Sequence, residues 1–227
     1  MAQSHKVTFL TRCSKYAFLS QIKNDGRLRF APLSSYREND LRNDRERFDE
    51  FEGATRIDQP RSVKRLTFTF RDPKTGVPLA GPIDHQLVGP IKHFDSKGFT
   101  HILCFSIHEQ VLILGENVID LTSEGEGFGP SVLLIHDIAA FVRHIGEFMD
   151  AQNIQFECRP VEYVSSDFEG PYSVFKKPER LKHQREYRLA IRADSTCPVE
   201  FTVPRLEETL EVFTGLKIKL NIDQAGI

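Results

Sequence analysis

Thr100-His101-Ile102-Leu103-Cys104-Phe105-Ser106-Ile107 reads as a strand near the middle of the chain, and the fold is decided by what stands on either side of it. Upstream, Val7-Thr8-Phe9-Leu10 is a short strand, Ser14 opens a helix carrying Phe18, Leu19 and Ile22, and Asn24-Asp25-Gly26 stops it. Arg27-Leu28-Arg29-Phe30 alternates as a strand that Pro32 ends, and Ser35 with Glu38 forms a capping box for a short helix. Leu66 to Phe70 alternates again before the turn Asp72-Pro73-Lys74-Thr75-Gly76, and Val77 to Gly98 is an irregular stretch rich in Gly and Pro.

Downstream, Gly115 to Leu121 and Ser131 to Ile135 are strands separated by a Gly-rich acidic loop, Thr122 to Pro130. His136 or Asp137 caps a helix whose Ile138, Phe141, Val142, Ile145 and Phe148 follow the 3.6-residue period. Phe156 to Val164, Tyr187 to Arg192, Val199 to Val203 and Leu216 to Ile222 are further strands. A polar loop, Ser165 to Lys182, and a short helix, Pro204 to Phe213, complete the pattern. So many strands with so few helices between them predict one α+β domain over residues 1–227, built on a mainly antiparallel sheet. Neither Gly-x-Gly-x-x-Gly nor Gly-x-x-x-x-Gly-Lys-Ser/Thr occurs, which argues against a Rossmann or P-loop nucleotide site.

The composition fits a globular chain: 227 residues, 40% apolar and 27% charged. The apolar runs are far shorter than the roughly 20 residues of a membrane span, and no apolar segment follows the first residues, so the expectation is a cytoplasmic protein without a membrane partner. The scattered Cys13, Cys104, Cys158 and Cys197 then fit reduced thiols. His101, Cys104 and His108 imitate a metal cluster, but strand alternation points His101 away from both others.

A net charge of −2 gives no global basic field, and bulk nucleic-acid binding is not expected. The charge is nonetheless segregated. Residues 1–30 hold six basic and one acidic group, whereas residues 109–170 hold two basic and twelve acidic. Either these are solvated faces that attract one another in the fold, or an Arg-rich N-terminal part meets an anionic ligand. For such a ligand, Arg12, Arg27 and Arg29 are the candidates, because a guanidinium fork binds phosphate through two hydrogen bonds. In the charge-dense run Tyr36 to Gly53, Asp44, Asp49 and Glu52 are residue types that suit Mg²⁺; the alternative is a mobile polar loop.

Three strings carry the candidate chemistry: Leu10-Thr11-Arg12, Cys104-Phe105-Ser106, and Gln184-Arg185-Glu186-Tyr187-Arg188. An Arg on the first strand, a Ser on a middle strand and a Gln-x-Glu entering a late one resembles the order in ADP-ribosyltransferases of the Arg-Ser-Glu type. That resemblance implies NAD as cofactor and co-substrate. It implies Glu186 as the catalytic carboxylate beside the ribose, Gln184 positioning the acceptor, Ser106 supporting the nicotinamide pocket, and Arg12 holding the phosphates. The Ser-Thr-Ser string of that family is absent, since Ile107-His108 follows Ser106.

A wider pattern includes Gly26 to Phe30, Tyr36-Arg37, Glu52-Gly53, Cys104-Phe105-Ser106, Phe175-Lys176-Lys177 and the Gln-x-Glu-Tyr-Arg string. It is similar to a group of bacterial and phage proteins of uncharacterised activity. That resemblance implies that the charged loop and the last string belong to one functional surface. The two functional expectations are therefore a nucleotide-binding enzyme transferring or hydrolysing ADP-ribose, and a non-catalytic protein docking a protein partner through its charges.

Overall fold

The computed structural model describes residues 4–36, 49–63, 66–68, 71–78, 83–85, 88–94, 98–113, 115–125 and 127–222. Strand β1 (Ser4–Ser14) leads into helix α1 (Tyr16–Asp25) and β2 (Arg27–Pro32). Short strands β3 (Arg56–Asp58), β4 (Leu66–Phe68), β5 (Ile83–His85) and β6 (Ile91–His93) precede the long β7 (His101–Ile113) and β8 (Gly115–Asp120). A one-turn helix, α2 (Thr122–Gly125), connects to β9 (Ser131–Ile135), which is followed by α3 (Ile138–Ala151) and β10 (Phe156–Pro160). The last third holds β11 (Glu162–Val164), β12 (Gly170–Pro171), β13 (Lys176–Pro178), β14 (Glu186–Ile191), β15 (Val199–Thr202), β16 (Leu210–Thr214) and β17 (Lys217–Ile222).

The main sheet runs β10-β14-β7-β1-β9-β16, with β2 also on β7 and β15 on β2, and all its pairings are antiparallel. The protein is therefore α+β, with a large, mainly antiparallel sheet and three helices. No described helix is long and apolar enough to cross a membrane.

The two faces of the sheet differ. On one, Leu10, Leu103, Phe105, Leu133, Ile135, Leu189 and Ile191 pack against Leu19 and Ile22 of α1 and Phe141, Ile145 and Met149 of α3. Asp137 caps α3 by accepting from the Ala140 amide at 2.9 Å, whereas α1 begins after Lys15 without a side-chain cap. On the opposite face, β7 and β14 present Ile102, Cys104, Ser106, Glu186, Arg188 and Ala190. The segments around Leu33, Val174 and Phe175 cover its apolar end.

Three expectations need correction. The span Pro204 to Phe213 is a single 3₁₀ turn, Leu206–Glu208, followed by β16, because Leu210 and its neighbours complete the ladder beside β9. The Ser165 to Lys182 stretch contains β12 and β13 and buries Tyr172, Val174, Phe175 and Lys177. The acidic loop holds α2. Glu38, the second half of the Ser35 capping box, lies outside the described residues.

Candidate functional site

Strand β7 changes partners along one edge. It pairs with β1 as far as Thr11 opposite Ser106, and with β2 from Ala31 opposite Ile102. Between these ladders β1 and β2 diverge. The Ile107 amide bonds the Arg185 carbonyl on the β14 side, so by the alternation of an antiparallel ladder the Cys104 carbonyl faces this fork. Arg12, one residue past the last pair, donates from Nη1 to that carbonyl at 2.5 Å.

On the other edge, Glu186 stands opposite Ser106 and Arg188 opposite Cys104. Directly opposed residues share a face, so Thr11, Ser106 and Glu186 form a row across three adjacent strands. Of the resemblance-derived residues, Ser106 and Glu186 share this row; Arg12, opposite Leu133 on β9, starts from the helix-covered face, and its guanidinium reaches the fork between β1 and β2. Arg27 and Arg29 do not join them: both reach Glu200, Arg27 from Nε at 2.9 Å and Arg29 at 3.6 Å.

Glu186 is held on every side. Its amide donates to the Tyr163 hydroxyl at 2.8 Å. Its Oε1 accepts from Lys177 Nζ at 2.6 Å and its Oε2 from Arg188 Nε at 2.7 Å. Arg188 then turns its outer nitrogens to Glu52, with bonds of 2.8 and 2.7 Å, and Nη1 also donates to the Val174 carbonyl. Lys177 donates to Gln184 Oε1 at 2.6 Å. Gln184 therefore reaches the cluster, but not as a residue of the same strand: it ends a 3₁₀ turn, and Arg185 at φ 46° lies between it and β14.

The electrostatics follow from burial and pairing. Burial pushes the Glu186 carboxyl up, but Arg188 and Lys177 outweigh it and hold the group at about 2, so it is an anion throughout the physiological range. Burial works against the Arg188 cation, while Glu186 and Glu52 hold its pKa well above the usual value. Asp49, with Glu52 three residues on, is raised to about 6, first by burial and then by that like charge. Burial raises the Tyr36 phenol, and Cys104, Arg12, Glu52 and Arg188 all act on it, which places the fork and the ion-pair cluster in one electrostatic neighbourhood.

The reading of the strings pointed to Glu186 but missed Arg188, Lys177 and Tyr163 as its holders. Arg188 was visible at two-residue spacing from Glu186, on the same face of a strand; the contributions of Lys177 and Tyr163 depend on tertiary placement. Glu52 of the charged stretch does meet the last string, although in the interior instead of at a surface.

As a magnesium site the acidic run fares poorly. Both Glu52 oxygens are occupied by Arg188, and Asp44 lies outside the described residues. Among the described residues no group of three metal-binding side chains converges. His101 bonds Thr100 and the Cys197 carbonyl, while His108 bonds Thr11 and stacks on Phe9.

The segregated charge is partly consumed within the chain. Lys6 pairs with Glu109, Lys23 with Glu211, and Arg27 and Arg29 with Glu200. No family model, curated protein sequence or solved structure matches this chain significantly.

Proposed function

We propose that the protein is an enzyme that binds NAD and cleaves its nicotinamide–ribose bond, passing ADP-ribose to an acceptor or to water. The observation that carries this reading is the row formed by Thr11, Ser106 and Glu186 across β1, β7 and β14, with Arg12 at the fork beside it. Cleavage breaks the C1′–N1 bond; its electron pair returns to the pyridinium nitrogen, and positive charge builds on the ribose. A carboxylate fixed as an anion lowers the energy of that state without any proton transfer of its own. Glu186 suits the task because Arg188 and Lys177 keep it ionised and immobile, and a carboxylate with two bonds made still has accepting capacity.

In this reading Ser106 adjoins the nicotinamide side of the row and Arg12 offers its remaining N–H donors to phosphate. Gln184, tied to Lys177, orients the incoming acceptor, whose proton passes to solvent as its oxygen or nitrogen adds to C1′. Protein docking through the segregated charge receives less support, because several of the N-terminal basic groups already pair with acids of the same chain.

The test is nicotinamide release from NAD by the full chain, with and without cell lysate as a source of acceptor. Wild-type protein should release nicotinamide, and Glu186→Gln, which keeps size but removes the charge and one of the two acceptor oxygens, should lower the rate at least about a hundredfold. Release that is equal in the two proteins, or absent from wild type under all acceptor conditions, would overturn the reading.

A further inference from the structure

Strand β7 outruns its neighbour β14. Their ladder stops where Glu186 stands opposite Ser106. Arg185, at φ 46°, turns the preceding chain away after one last bond, from the Ile107 amide to the Arg185 carbonyl at 2.8 Å. On its other edge β7 keeps β1 as a partner as far as Ile113, which stands opposite Ser4. Alternate residues of a strand turn their backbone groups to opposite edges, so Glu109, Val111 and Ile113 face the β14 side as Ile107 does. No described strand pairs with them there.

Asn117 closes the far end. Its Oδ1 accepts from the Ile113 amide at 3.0 Å and its Nδ2 donates to the Ile113 carbonyl at 2.7 Å, the two bonds that a neighbouring strand would make. What stays open is a slot presenting the N–H and C=O of Glu109 and Val111, bounded by Arg185 at one end and Asn117 at the other. Its rim is accessible and partly apolar, with Val111 60% and Ile113 48% exposed. Proteins blunt such edges, because open backbone groups beside exposed apolar side chains invite another strand. Here the blunting stops at Ile113.

Asn117 also decides what can enter. In every antiparallel register that joins two copies of this chain through the slot, Ile113 of one copy falls opposite Phe105, Ile107 or Glu109 of the other, where Asn117 already fills the edge. A short separate segment meets no such obstacle. We propose that the slot binds an extended peptide by strand addition, antiparallel to β7 and in line with β14. Both backbone groups of Glu109 and of Val111 hold it. A β-branched side chain opposite Val111 makes an apolar cross-strand pair, and a basic one opposite Glu109 joins the exposed Lys6–Glu109 pair. The peptide residue opposite His108 lies two positions from Glu186 along the same line, about 7 Å away and on the same face. A serine there is the ADP-ribose acceptor; that role rests on the NAD reading above, whereas the docking rests on the open edge.

The experiment uses the full chain, labelled with ¹⁵N, and the capped peptide acetyl-Thr-Val-Thr-Lys-Ser-amide, which sets its Val opposite Val111 and its Ser opposite His108. In the free chain, amide hydrogen exchange should be fast at Glu109 and Val111 and slow at Gln110 and Leu112, whose amides face β1. At saturation the peptide should slow exchange at Glu109 and Val111 at least about tenfold. The same peptide methylated on its Val nitrogen should not. Val111→Pro removes an N–H that has no partner among the described residues, at an edge position where proline is tolerated. This variant should melt close to wild type and bind the peptide about tenfold more weakly or worse. Val111→Thr, which keeps the N–H, should bind as wild type does.

Slow exchange at Glu109 and Val111 in the free chain would show a covered edge and overturn the slot. Slowing that grows with protein concentration would give the edge to a second copy and overturn the peptide. So would the absence of slowing at millimolar peptide, or equal slowing by the methylated one. ADP-ribose on the peptide serine with wild type and Val111→Pro alike would remove the docking and leave the NAD reaction standing. Peptide docking without any NAD turnover would keep the slot and remove the reaction.

Discussion

Arg188 and Glu52 meet through two side-by-side N–H···O bonds, 2.8 and 2.7 Å long, with 1% and 2% of their side chains exposed and 136 residues of sequence between them. The fork-to-carboxylate geometry is the strong form of this pairing, and it anchors the charged segment to the sheet face beside Glu186. A buried pair is not evidence of stability in itself, because desolvation offsets much of its attraction, but removing one partner leaves the other charge stranded.

Arg188→Ala should therefore destabilise the protein by roughly 3–5 kcal/mol, since it strands Glu52 and leaves Glu186 with Lys177 alone. Arg188→Met combined with Glu52→Leu should cost less than the sum of the two single changes. Urea unfolding of the four proteins measures the coupling; additive costs would show that the pair does not act as a unit.

Asp49 gives the fold an opposite pH dependence from Glu186. Its folded pKa is about 6 against an ordinary 3.8, so the native state binds more protons than the unfolded one between those values. Its contribution thus falls as pH rises from about 4 to about 6 and is flat above. Glu186, held at about 2 against an ordinary 4.5, contributes stability that is complete above about 4.5 and lost as pH falls through about 2. Asp49→Asn removes the first dependence. Relative to wild type it should gain on the order of 2–3 kcal/mol between pH 4 and pH 8, as read from denaturation midpoints across that range. A difference independent of pH would refute the assignment.

How far the sequence carried this picture depended on how local each cause was. Period-2 alternation located β2, the β-branched and Leu content located β9, and the 3.6-residue pattern located α3, because those signals lie within a few residues. The Leu210–Thr214 strand was misread as part of a helix because its identity comes from pairing with β9. Glu186 was legible from the Gln-x-Glu string, and Arg12 from its position at the end of the first strand. Arg27 and Arg29 carried the same charge signal as Arg12, and only the position of Glu200 on β15 separates them from it. Burial of Lys177, Asp49 and Tyr172 arises from segments far apart in the chain, and no local pattern announces it.

Gly26 marks a point where one atom decides the fold around α1. It sits at φ 65° as the left-handed cap of that helix, and a Cβ there would lie 1.9 Å from the Val203 carbonyl oxygen. Its own carbonyl accepts from the Val203 amide at 2.9 Å, so the close approach cannot relax without breaking the contact. Gly26→Ala should cost about 2 kcal/mol or more, well beyond the ~1 kcal/mol of the left-handed conformation alone. Thermal melting of the variant checks this; a loss near 1 kcal/mol would mean that the backbone separates freely.

Cys104 reports on Glu186 from across the ladder. Burial, with the Glu186 charge next, pushes its thiol up to about 12, so at pH 8 it is almost wholly protonated and should resist alkylation that takes the exposed Cys197 readily. Glu186→Gln removes that second contribution while Arg188 and Lys177, which favour the thiolate, stay in place. Alkylation of Cys104 at fixed pH, followed by peptide mass spectrometry, should then quicken several-fold relative to wild type, with Cys197 unchanged as the internal reference. Parallel acceleration at both cysteines would signal loosening of the fold; no acceleration at Cys104 would mean that Glu186 does not bear on it in solution.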